Sequence, residues 1–216
     1  MKNNKIFINL FLIKFTKNLI TKKLKNKCII LSYYLLMSLP SKDELLINTG
    51  LVSFDKTYAD RYHEQAKRYD IGEYMDVLAT IYQLKPLGAL NIFHKKYIEN
   101  PGVDEVRKMV KECGLKRFTK VRKNLTPYLN TVYFHPSNIN NAKKLMAIVW
   151  CNIVDERYKE YMIGKLLGYT KESLVAFYLH NYEVMLSDEI ITEMDTELDT
   201  MVIRQSLLDK YDIRLF

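Results

Sequence analysis

Glycine is scarce in this chain: seven are dispersed over 216 residues, and none forms a GxGxxG or Walker pattern. That excludes the glycine-rich loops that cradle nucleotide phosphates. Cysteine is scarcer still. Cys28, Cys113 and Cys151 are an odd number at wide spacing with no CxxC pair, so no zinc knuckle or redox dithiol is expected and an intracellular, reducing compartment is. Cys113 and Cys151 fall in apolar helical patterns, where a free cysteine behaves as a small buried hydrophobe.

Long apolar runs are missing as well. Ile6 to Ile13 is broken by Asn9 and Cys28 to Met37 by Ser32. Neither reaches the ~20 residues of a transmembrane helix, so no span is expected. Acid is absent from residues 1–36, which carry Lys2, Lys5, Lys14, Lys17, Lys22, Lys23, Lys25 and Lys27. Those eight lysines are the entire net charge of +8; the remaining 25 basic residues balance 25 acids. The basicity therefore describes a leader, not the body.

For that leader the residues leave several readings open. Lys2 and Lys5 before an apolar stretch suit a secretory signal, yet no small-x-small site follows, and the arginine and serine of a mitochondrial presequence are lacking. Contact with a membrane surface, targeting to an organelle and plain disorder all fit. Met37-Ser-Leu-Pro-Ser41 also reads as a normal start, with Ser41 able to cap a helix, in which case residues 1–36 are not translated.

From residue 37 onward the pattern is helical. Tyr58, Tyr62, Ala66 and Tyr69 predict a helix over 56–69; Tyr74, Val77, Leu78, Ile81 and Tyr82 predict a second, ended by Pro86 and Gly88. Leu90, Phe93, Tyr97 and Ile98 form a third short face. Val103, Val106, Met109, Val110 and Cys113 form a fourth, closed by Gly114 in the left-handed cap position. Thr131 to Phe134 is the one clear β-favouring run. Ser137 then caps a long apolar-rich helix through Ala142, Leu145, Met146, Ile148, Val149 and Ile153. Two more are expected over 156–167 and 171–182. Ser187 opens a last helix whose apolar positions Ile191, Met194, Leu198, Met201 and Leu208 follow steps of three and four, with Gln205 in the remaining slot. The expectation is an all-α fold: a single multi-helix globular domain of about seven to nine helices over 37–216, behind the basic apolar leader 1–36.

Templates for chemistry fail. His63-Glu64-Gln65-Ala66-Lys67 has lysine where a zinc helix needs its second histidine, and Asp195, Glu197 and Asp199 open like a calcium loop until Thr200 replaces the required glycine. No cofactor or metal is expected, nor a catalytic set, although nucleophile partners can converge from anywhere in a fold. The chain therefore reads as a non-enzymatic binding protein.

The most specific lead lies in 156–182. Gly164, Gly168 and Leu174 stand at the spacing of a small crossing residue, a tight turn and an apolar contact, and the stretch Met162 to Phe177 resembles a generic helix-turn-helix. Thr170 can cap the second helix, and Lys165, Thr170, Lys171 and Ser173 are the candidate nucleic-acid contacts of the motif. Lys116, Arg117, Lys120, Arg122 and Lys123 read first as a solvated helix face, or else would add phosphate contacts to such a module. The alternative is a protein-interaction or scaffold module using the acidic amphipathic helix 188–210. Between Asn181 and Met201 stand seven acids and no base.

Overall fold

The chain is not all-α. The computed structural model describes residues 39–49, 68, 71–72, 74–90, 101–121 and 130–216, and among them eight helices accompany a four-stranded antiparallel sheet. The described residues from Pro40 onward belong to one compact unit. In chain order the elements are α1 (Lys42–Thr49), α2 (Tyr74–Ile81), β1 (Leu87–Leu90), α3 (Pro101–Glu112), β2 (Lys116–Lys120), β3 (Thr131–Phe134), α4 (Ile139–Trp150), α5 (Glu156–Leu166), α6 (Lys171–Tyr182), α7 (Asp188–Thr200), α8 (Gln205–Lys210) and β4 (Ile213–Leu215). The leader, the helix expected over 56–69 and the face Phe93 to Ile98 lie outside the described residues.

The sheet runs β1-β3-β2-β4, every pair antiparallel. Only β3 had a readable β pattern. Lys116 to Lys120 offers a single large apolar side chain, Phe118, and becomes a strand because partners flank it on both sides. Arg117 and Phe216 exchange backbone bonds of 3.1 and 2.9 Å, and Phe118 pairs with Val132. Tertiary pairing here overrides local preference.

Directly paired residues share a sheet face. Leu87, Phe118, Val132 and Phe134 thus form one side, and they join Ala142, Leu145 and Met146 of α4 in the main core. The Phe118 and Phe134 rings stack at 5.3 Å. Gly88 lies on the opposite side, where α2 passes so close that a Cβ would sit 2.9 Å from the Asp76 carbonyl oxygen and from Val77 Cα.

Two expectations about single elements also change. The heptad-like helix stops at Thr200, because Met201 turns extended at φ −61° and ψ 123°, and β-branched Val202 and Ile203 follow before α8 restarts. Its apolar positions Ile191, Met194, Leu198 and Leu208 are all buried in the core. Cys151 is buried and burial pushes its thiol up to about 11, whereas Cys113, expected inside, is exposed. No helix among the described residues is long and apolar enough to cross a membrane.

The Gly88 contact is with backbone, which cannot swing aside. Gly88→Ala is expected to cost about 1–3 kcal/mol, the usual range for overpacking. At about 2–4 °C per kcal/mol for a domain of this size, calorimetry should show a melting temperature lower by several degrees.

Candidate functional site

The α5–α6 pair is built by local rules. Asp155 caps α5 by accepting from Arg157 N at 2.9 Å, and the Arg157 guanidinium, 2.6 Å from the same carboxylate, helps hold its pKa down to about 2. At the far end Gly168 turns left-handed at φ +92°. Gly168 N donates to Lys165 O at 3.0 Å and Tyr169 N to Gly164 O at 3.1 Å, the two bonds of a Schellman termination. Thr170 then caps α6, accepting from Ser173 N at 3.2 Å.

At the crossing, Leu174 of α6 packs over the bare position 164 of α5. A Cβ there would run into Leu174 Cδ2, so a side chain at 164 would force the Leu174 side chain to shift. Below that contact the Tyr178 hydroxyl accepts from Tyr161 N and donates to Arg157 O, both at 3.0 Å. It thereby bridges the carbonyl and amide that stand one turn apart in α5.

The same turn is seated on the rest of the molecule through a buried ion pair. A Cβ at Gly168 would meet the Pro86 ring at 2.7 Å, and next to Pro86 the Lys85 side chain is 5% exposed. Its ammonium lies 2.9 Å from Asp76 Oδ1 and 5.0 Å over the Tyr169 ring. Burial alone would push the Lys85 pKa down, but Asp76 and Tyr169 more than offset it and the net shift is upward. That direction belongs to a structural ion pair, since a lysine serving as a base needs the opposite shift. A cavity of about 570 Å³ opens beside it, lined in part by Gln83, His135, Ser137 and Asn138. Nothing in the sequence marks Asp76, Lys85 and Tyr169 as partners: their spacings match no helix or strand repeat.

The predicted contact residues are mostly committed elsewhere. Lys165 is paired with Asp195 at 2.5 Å and Lys171 with Asp188 at 2.8 Å. The two acids stand seven residues apart, on one face of α7, and the Tyr161 hydroxyl adds a bond to Asp195 at 3.0 Å. Thr170 is a cap and Ser173 is buried. Lys120 donates to the Tyr211 carbonyl and lies over the Trp150 ring. Lys116 and Arg117 are exposed at the start of β2, with Arg117 over the Phe216 ring at 5.2 Å. Arg122 and Lys123 lie outside the described residues. Among those described, no three His, Cys, Asp or Glu side chains converge on a metal position.

The solvent side of α6 carries Glu172, Ala176 and Leu179, and Glu183 continues that stripe at helical spacing. Glu183 then turns left-handed at φ +55°. From there the chain doubles back along α6: Val184 N contacts Tyr178 O at 3.4 Å, Leu186 is buried, and Asp188 returns to Lys171 at the helix start. Four large apolar side chains face solvent along this strip: Leu179 at 54%, Tyr182 at 49%, Val184 at 45% and Met185 at 78% exposed. Sequence periodicity missed them because segment 183–187 has no regular structure and α6 has apolar residues on every side.

Removing Lys85 takes the buried ion-pair partner away from Asp76. Lys85→Met is expected to cost about 3 kcal/mol, the low end for such breaks, because Asp76 keeps about a fifth of its surface exposed. The double variant Asp76→Leu/Lys85→Met should recover more than half of that in urea denaturation. No family model, curated protein or solved structure matches this chain.

Proposed function

We propose that this chain is a non-enzymatic protein-interaction module whose docking surface is the solvent side of α6 together with the returning segment 183–186. The observation that carries this reading is the strip of Leu179, Tyr182, Val184 and Met185, each at least 45% exposed. Several large apolar side chains exposed on one short stretch of chain, with polar residues around them, are characteristic of interaction surfaces. Chemistry supports it over groove reading of DNA by α6. The outward stripe bears Glu172 and Glu183 where a reading helix carries Arg, Asn or Gln, and Lys165 and Lys171 are neutralised by α7. The heptad-like α7 spends its apolar side chains in the core, so its acidic outer face alone is left for partners.

The test uses a labelled model helix with leucines at i, i+3, i+4 and i+7 and glutamine at its polar positions. It should bind the intact chain, and Leu179→Ser/Met185→Ser should weaken binding at least tenfold. Full burial of one such side chain is worth about 1.5–3 kcal/mol, so tenfold, ~1.4 kcal/mol, is a modest demand on two. Absent binding, or equal binding by a variant that folds normally, overturns the reading.

A second reading places nucleic-acid contact at the β2–β4 corner. It is favoured by Lys116, Arg117 and Arg214, all exposed, with Arg117 and Arg214 on one face of the paired strands. Three phosphate contacts give a log–log salt slope of about −2.7 for duplex DNA. Arg117→Ala/Arg214→Ala should reduce that slope by about 2, and no binding at 50 mM salt ends this reading.

A further inference from the structure

We infer that the partner of the α6 strip is a cationic amphipathic segment of another protein, with apolar side chains on one face and lysine or arginine beside them. This rests on the docking surface proposed above and adds the chemistry of its occupant.

Glu172 and Glu183 bracket Ala176 and Leu179 on the solvent stripe. They are eleven residues apart, a separation of ~16 Å along a helix. Neither is in an ion pair with another described residue. Glu189 and Glu193 of α7 are exposed nearby in the chain, and no base occurs between Asn181 and Met201. Three cations bear on these carboxylates: Lys165 and Lys171 are held by Asp195 and Asp188, and Arg157, which also acts on Glu193, is held by Asp155. The apolar strip therefore sits in a negative field with its local counter-charges already used.

An anionic partner would meet repulsion at both ends of the strip, and an uncharged one would leave Glu172 and Glu183 beside a desolvated interface without a partner. A segment with cations spaced to reach both glutamates satisfies them while its apolar face covers Leu179 and Met185. Complementary charge at a rim acts on encounter and selectivity more than on raw affinity. The apolar contacts hold the partner and the acids choose it.

Three labelled helices with the same leucine stripe and polar faces of lysine, glutamine or glutamate separate these effects when titrated against the full chain. The lysine-faced helix is expected to bind at least tenfold more tightly than the glutamine-faced one, and the glutamate-faced helix more weakly than either. Glu172→Gln/Glu183→Gln should weaken the lysine-faced helix at least threefold while leaving the glutamine-faced helix unchanged or binding more tightly. The chain's net charge of +8 favours the opposite order, so the expected ranking reports the local field. A flat ranking, the reverse ranking, or a lysine-faced helix indifferent to the double variant overturns the partner assignment. If instead the glutamine-faced helix fails to bind at all, the docking surface itself is wrong.

Discussion

The proposed docking surface depends on the packing of Leu174 against a bare Gly164, which sets the side of α6 that faces water. That packing seats the Leu174 side chain over the bare position in α5, and the Tyr178 hydroxyl, engaged with Arg157 O and Tyr161 N, keeps α6 from rotating about its axis. With rotation fixed, Leu174 and Tyr178 must point inward, and the opposite side with Glu172, Ala176 and Leu179 must point out. The chemistry of the surface follows from that one contact.

Helix α7 decides what kind of surface it is. Asp188 and Asp195 reach α6 and α5 respectively, so the lysines that would suit a polyanion become part of the scaffold. Surface ion pairs of this sort contribute little to stability. Their larger consequence is to remove positive charge from the side where DNA would have to approach. The same helix turns Ile191, Met194 and Leu198 into the core, so its own apolar side chains are not free for a partner. Those of the strip beside α6 face water, as Val202, Leu215 and Phe216 do elsewhere among the described residues.

The parts of this arrangement that local sequence rules control were legible. Gly164, Gly168, Thr170 and Leu174 act within ten residues of each other, so spacing alone located the crossing, the turn and the cap. Thr131 to Phe134 declared itself by β-branched and aromatic residues. The other three strands did not, because Leu87 to Leu90, Lys116 to Lys120 and Ile213 to Leu215 become strands only through partners far away in the chain. The Asp76–Lys85–Tyr169 cluster was invisible for the same reason. Met185 escaped notice because nothing in its neighbours says whether an irregular segment turns its side chains in or out.

The central claim is that the outward side of α6 and the segment returning along it form the docking surface. Hydrogen exchange of the full chain with and without saturating lysine-faced amphipathic helix tests it directly. The account predicts slowed exchange concentrated in residues 176–187, with β2 and β4 unchanged. Protection centred on 116–121 and 213–216, or no protection at 176–187, would contradict it.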